Sequence, residues 1–197
     1  MIPFPPVCAR LGWYAKWVKC LYEGYSGEEA FNITNKSLAV SRRNLARYLI
    51  RGNDHGSLML SVPVEGGAGV LKGCFPIEEI KLSDHGNWRH VHLKALDAAY
   101  GKTPFFIHLM PMLEKVYAST FLSLADFNIA IHQALSSFLL KNISERHLAL
   151  LFQRKTVLNV RGNEICDNIN PDLSIIDALM RLGPETLLAL PAVLQTE

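Results

Sequence analysis

Two groups of residues in this sequence have the types and spacing to act on a substrate. The first is Trp88 with His92. Four positions apart on a helix, they lie one above the other. A histidine packed on an indole can serve as an acid or base near neutral pH. The competing reading is a half-buried histidine holding one hydrogen bond, because no second catalytic partner stands beside it in the sequence. His90 falls on another helix face, so His90-Val91-His92 is not a two-ligand metal clamp. The second group is Arg42, Arg43, Asn44 and Arg47. Guanidinium forks grip phosphate or carboxylate with paired hydrogen bonds, and the diphosphate of a nucleotide sugar suits them. The alternative for each arginine is a solvated charge facing a nearby acid. A polar loop adds Tyr100, which can donate to a ligand, and Lys102, which can neutralise a phosphate. Phe105 and Phe106 behind it read as core plugs, and Gly101 as a left-handed turn.

Positioning these groups requires elements that the hydrophobic pattern outlines. Trp88 to Tyr100 reads as a helix, with Trp88, Val91, His92, Ala95, Leu96 and Ala99 on one face, Asn87 as N-cap and Gly101 as stop. Ser57 to Val64 is the strongest strand. It pairs with Tyr48-Leu49-Ile50 as a hairpin across Asn53-Asp54-His55-Gly56 and ends near Pro63. Leu11 to Lys19 reads as a short helix, Leu21 to Tyr25 as a short strand, Gly24 to Asn35 as an irregular loop, and Ile77 to Leu82 as another short strand. The glycine-rich stretch Glu65 to Gly73 reads as a mobile connection or a lid, the connection being favoured. From Ser123 the chain turns helical, with Leu124, Phe127, Ile131, Leu135 and Phe138 as a stripe. Ser174 to Asp177 fits a capping box with the shorter acid, and Gly183-Pro184 a helix stop and start. The β signals precede residue 85 and the helical ones follow. The expected fold class is therefore α+β: a small, largely antiparallel sheet in the N-terminal half and a packed helical C-terminal half. One domain spans 1–197, its β-containing part at about 1–118 and its helical part at about 119–197.

Composition excludes several functions. Hydrophobic residues make up 49% and charged ones 19%, enough for a core. The 20 basic and 18 acidic side chains nearly cancel, to +2, and no basic stripe with interleaved aromatics suggests nucleic acid. No run is long and apolar enough for a membrane span, and the Met1 to Pro6 stretch has no signal-peptide pattern. Cysteines at 8, 20, 74 and 166 form no C-x-x-C pair. They read as reduced, buried thiols of a cytoplasmic protein, with no zinc site. No dinucleotide, phosphate-loop or nucleophile-elbow motif occurs, so no cofactor is expected. Glu28-Glu29 and Glu78-Glu79 read as solvated charges.

Several segments, in order, resemble the WbqC-like family of bacterial surface-polysaccharide gene clusters. Leu11 to Lys16 is similar to its LGYFxK segment, and Leu60-Ser61-Val62-Pro63-Val64 to its LSVPV strand. Ile77 to Ile80 followed by Trp88 to His92 resembles its I-x-x-I … W-x-x-x-H block, and Ala99 to Phe106 its AYGKxPFF motif. Pro171 to Asp177 with Gly183-Pro184-Glu185 resembles its C-terminal PxLSIID … GPE. Three stretches depart from the pattern. Pro3 to Arg10 lacks the histidine of the HQPxYLPW segment. Arg42 to Arg47 leaves the register of the RNR motif open. Asn159-Val160-Arg161-Gly162-Asn163 stands where YxQVF is common.

The resemblance implies a transferase acting on a nucleotide-activated sugar in O-antigen or capsule biosynthesis, by acyl or aminoacyl transfer. His92 would be the catalytic group, with Arg43, Asn44, Arg47, Trp88, Tyr100 and Lys102 binding substrate. The alternative is a non-catalytic ligand-binding or scaffold protein derived from such an enzyme, which the altered segments favour. Both readings take a small-molecule partner, and both are open at this point. The transferase reading requires one spatial arrangement: an early arginine and His92 lining a common polar hollow.

Overall fold

The computed structural model describes residues 4–52, 56–73, 76–141, 170 and 172–194. Its only sheet among these residues is an antiparallel hairpin of β1 (Arg47–Arg51) and β2 (Ser57–Ser61), with Arg47 opposite Ser61, Leu49 opposite Met59 and Arg51 opposite Ser57. The described residues form seven α-helices: α1 (Leu11–Tyr22), α2 (Gly27–Ser37), α3 (Trp88–Tyr100), α4 (Phe106–Ala118), α5 (Leu124–Leu139), α6 (Ile175–Leu182) and α7 (Thr186–Val193), of which α3 and α6 pack on β1. The fold is α+β, with the hairpin in the N-terminal half and helices in the described part of the C-terminal half.

Hairpin, α3 and α5 have the expected places, but of the apolar face read for α3, Val91 is 54% exposed and only Trp88, His92 and Leu96 are buried. β2 stops two residues before Pro63, as a residue without an N–H demands. Leu124, Phe127, Ile131, Leu135 and Phe138 all point into the core. Ser123 caps α5 by accepting from the Asp126 N–H at 3.1 Å.

The differences have local causes. Leu21 to Tyr25 is not a strand but the end of α1. Gly24 sits at φ +90, its N–H reaches the Leu21 carbonyl, and the Tyr25 N–H reaches that of Cys20, which closes the helix in a Schellman motif. Gly24 to Asn35 is not a loop; most of it is α2. There the Ser26 hydroxyl accepts from the Glu29 N–H and the Glu29 carboxylate accepts from the Ser26 N–H, a full capping box. α2 buries only Ala30, Thr34 and Asn35, so its apolar stripe is too thin for periodicity to reveal. α2 ends in the same Schellman geometry, but Ala39 occupies the left-handed position at φ +46.

Ile77 to Leu82 is not a strand either. Ile77–Glu79 forms a 3₁₀ turn, and only Lys81 and Leu82 make isolated bridges, to Ser123 and Val64. The glycine-rich connection folds as a 3₁₀ turn, Gly67–Lys72, anchored by buried Leu71. α4, which follows the Phe105-Phe106 pair, accommodates Pro111 within its length.

Three expected caps work differently. Asn87 is left-handed and makes no side-chain cap bond to α3. Gly101 is right-handed, at φ −56; a side chain there would meet the Asp97 carbonyl oxygen at 2.7 Å, so close approach rather than φ requires glycine. At α6 the Ser174 hydroxyl accepts from the Ile176 N–H, but the Asp177 carboxylate faces two arginines instead of completing a box. Gly183, at φ +58, does end α6, and any side chain on it would strike the Phe105 ring.

α1 packs on α2 and α7, and α4 on α5. Asp177, fully buried, binds the Arg51 guanidinium at 3.1 and 3.4 Å and stands 3.7 Å from that of Arg181. The Arg51 N–H donates to the Tyr100 hydroxyl at 3.0 Å. One junction thereby ties the hairpin to α3 and α6. No helix among the described residues is long and apolar enough to cross a membrane. Cys8 and Cys20 are buried free thiols, whereas Cys74, Cys166 and the Asn159 to Asn163 stretch lie outside the described residues.

Candidate functional site

The 3₁₀ turn Arg42–Ala46 leads directly into β1. Leu45 and Ala46 are buried and hold it to the core, which leaves Arg43, Asn44 and Arg47 facing out. Backbone bonds fix its position. The Ala46 carbonyl accepts from the Val62 N–H at 2.8 Å and the Leu45 carbonyl from the Val7 N–H at 3.3 Å. Asn128, buried on α5, adds a clamp: its amide donates to the Leu45 carbonyl at 2.8 Å and to the Pro5 carbonyl at 3.1 Å. The N-terminal segment and the arginine-bearing turn are thus held side by side from beneath.

Between them opens a cleft of about 960 Å³, large enough for a nucleotide-sized ligand. One wall carries Arg43, Asn44, Arg47 and Leu49; the opposite wall carries Cys8, Arg10, Asn170 and Asp172. The far wall is stitched to the hairpin: the Ser174 N–H donates to the Leu49 carbonyl at 2.8 Å and the Ile175 N–H to the Ala9 carbonyl at 2.9 Å. Its charged lining, among the described residues, is Arg10, Arg43, Arg47 and Asp172, three cations against one anion. Arg43 and Arg47 are exposed and have no ion-pair partner among the described residues. Cys8 lines the cleft in a left-handed conformation at φ +43, and burial pushes its thiol far up, so it stays protonated.

The other expected site residues lie elsewhere. His92 is 3% exposed and does not line the cleft. Its Nε2 is 3.2 Å from the Ser61 carbonyl, which can only accept, so Nε2 carries the proton and Nδ1 is an acceptor. Nδ1 faces the Tyr117 hydroxyl at 3.2 Å and the Tyr48 hydroxyl at 3.3 Å, and these two hydroxyls are 2.8 Å apart. One tyrosine donates to the imidazole and the other to its neighbour, which uses every proton. Burial lowers the His92 pKa to about 4, against a smaller upward pull from the Ser61 carbonyl. At neutral pH the ring is uncharged and fully engaged.

Trp88 does pack on His92, with ring centroids 5.2 Å apart, but its indole N–H is spent on the Ser83 carbonyl at 2.9 Å. Tyr100 is buried at the Asp177 junction, and burial raises its phenol above the usual range. Lys102 is exposed on the turn after α3 and is not part of the cleft. The common hollow expected for an early arginine and His92 is therefore divided: Arg43, Asn44 and Arg47 share the cleft, while Trp88, His92, Tyr100 and Lys102 lie outside it.

Sequence reasoning missed Arg10, Asp172, Asn128 and Tyr48. Tyr48 links the regions, since it lines the cleft while its hydroxyl belongs to the His92 network. Arg10 and Asp172 carried no signal, being 162 positions apart. Among the described residues no cluster of three or more His, Cys, Asp or Glu could hold a metal ion.

The model of the WbqC-like protein family matches residues 31–147, more than half of the chain. No curated protein and no solved structure matches. The matched span contains Arg43, Asn44, Arg47, His92 and Asn128. The opposite wall of the cleft, from residues 6–13 and 170–193, lies outside it.

Proposed function

The chain belongs to the WbqC-like protein family, and on that premise we propose that its cleft binds a nucleotide-activated sugar, for a transferase step in bacterial surface-polysaccharide assembly. The observation that carries this reading is the pair of guanidinium groups, Arg43 and Arg47, on the wall of a nucleotide-sized cleft with no ion-pair partner among the described residues. Cations left unpaired beside a cavity attract an anionic ligand, and guanidinium matches phosphate oxygens two at a time. The excess of two positive charges among the lining residues complements a pyrophosphate diester, in which each phosphate carries one negative charge. Asn44 between the arginines supplies an amide to a sugar or phosphate oxygen. The reaction in this reading is acyl or aminoacyl transfer to a sugar amine.

A thermal-shift series with nucleoside diphosphate sugars tests it. Ligand that binds only the folded chain raises Tm with concentration, and the rise should vanish in Arg43→Ala/Arg47→Ala. No rise with any such sugar at millimolar concentration would defeat the reading.

The second reading, a non-catalytic binding or scaffold protein, is favoured by a different observation: His92 is neutral, buried and outside the cleft. It expects nucleotide-sugar binding to survive His92→Asn, with no transfer product from either protein. Product formation by the unsubstituted chain removes it.

A further inference from the structure

Arg10 and Asp172 line the same cleft as the unpaired arginines, and they face each other. Their contact is weak by geometry: a single Nη1 to Oδ1 approach of 3.6 Å, with side chains 59% and 75% exposed. Each is the other's only ion-pair partner among the described residues. The backbone beneath both is fixed. Arg10 bridges to Ser174 and its carbonyl accepts from the Tyr14 N–H at 3.3 Å, while the Asp172 N–H is held by the Asn170 side chain at 3.0 Å. Either side chain can therefore swing without the chain moving.

We infer that Asp172 takes the place of the ligand's phosphate at Arg10, and that an entering phosphate takes Arg10 over from it. This deepens the anion-binding reading above and rests on it. Exposed single-contact pairs contribute little. A phosphate offers Arg10 two acceptor oxygens at once, and Arg43 and Arg47 draw the same ligand in. The exchange makes Asp172 a specificity residue. A ligand with one carboxylate gives Arg10 no more than Asp172 already does. A pyrophosphate diester engages Arg10 and the opposite wall together.

Titration calorimetry on the full chain tests the exchange, with uridine diphosphate glucose and inorganic pyrophosphate as probes. Both side chains are exposed, so the variants keep the fold, which circular dichroism verifies. Asp172→Asn should tighten binding about two- to fivefold, the scale of one exposed pair, and Arg10→Ala should weaken it. In the Arg10→Ala background the gain from Asp172→Asn should shrink to near one. An undiminished gain there means Asp172 acts by repulsion alone, and no gain in the single variant means it holds nothing back; either overturns the exchange. Wild-type protein that binds neither probe removes both the exchange and the reading beneath it. Normal binding by Arg43→Ala/Arg47→Ala, beside the expected Arg10 and Asp172 behaviour, removes the role proposed for those two arginines but keeps the exchange.

Discussion

The interior around His92 and the cleft beside Arg43 handle polar groups in opposite ways. In the interior every proton has a destination: Nε2 to Ser61, one tyrosine to Nδ1, the other tyrosine to its neighbour. A second histidine, His132, is buried likewise but less fully partnered, since the indole N–H of Trp17 packed against it has no hydrogen-bond partner among the described residues. It is 5% exposed, 3.2 Å from the Tyr14 hydroxyl, and boxed by Trp13, Trp17 and Phe31. In the cleft, Arg43 and Arg47 are exposed and have no ion-pair partner among the described residues. Titratable residues of both kinds draw attention in a sequence. What separates them is satisfaction: a buried group with all its partners stabilises the fold, whereas an exposed cation aimed along a cavity wall is free to bind.

Acid should break the interior first and by the largest amount. Burial lowers both His92 and His132 from 6.5 to about 4, so between those values the unfolded chain binds more protons than the folded one. Stability is complete above about pH 7 and is lost as pH falls through 6.5 toward 4, by about 3 kcal/mol per histidine once both states are protonated. Urea midpoints taken from pH 7.5 to 4 measure it. A flat profile would mean the rings are solvated, and the contrast between the two regions would collapse.

Next in size is His92→Ala. It leaves a cavity and strands the Ser61 carbonyl, with an expected cost of about 3 kcal/mol in urea unfolding at pH 7.5. Arg43→Ala/Arg47→Ala should do the reverse. Stability stays within about 0.5 kcal/mol, while affinity for uridine diphosphate glucose drops about 10- to 100-fold and loses much of its salt dependence. If the arginine variant unfolds easily, or the histidine variant does not, the assignment of roles is inverted. The smallest effect lies at the edge of the cleft, where Ala39 takes a left-handed conformation just before Val40 and Ser41. Ala39→Gly should add about 1 kcal/mol of stability without changing affinity, read from the same two assays.

The sequence makes the local parts of this arrangement legible. α3 keeps the bounds read for it, Trp88–Tyr100, because Trp88, His92 and Leu96 do form a buried stripe and the helix does stop at Gly101, although Val91 faces out and neither cap works as expected. The Arg42 to Arg47 cluster stands out by charge alone, and three of the expected site residues do share a cleft. α2 escaped because its stability comes from a capping box rather than a broad apolar stripe. The separation of His92 from the cleft has a similar origin. Spacing placed Trp88 beside it correctly, but Tyr117 and Ser61, which occupy its two ring nitrogens and enclose it, are contributed by α4 and β2. Likewise the cleft depends on Asn128 gripping two carbonyls 83 and 123 positions away. Periodicity and charge report on a residue's own element; satisfaction and enclosure depend on pairings across the whole chain.

The bridge between Arg10 and Ser174 has a kinetic consequence. Contacts between such distant positions close the largest loops and tend to form after local helices and hairpins. The binding hollow is therefore expected to be the last feature completed during refolding. In a stopped-flow experiment, recovery of affinity for uridine diphosphate glucose should lag the return of helical signal. Simultaneous recovery would show that the distant seam forms early.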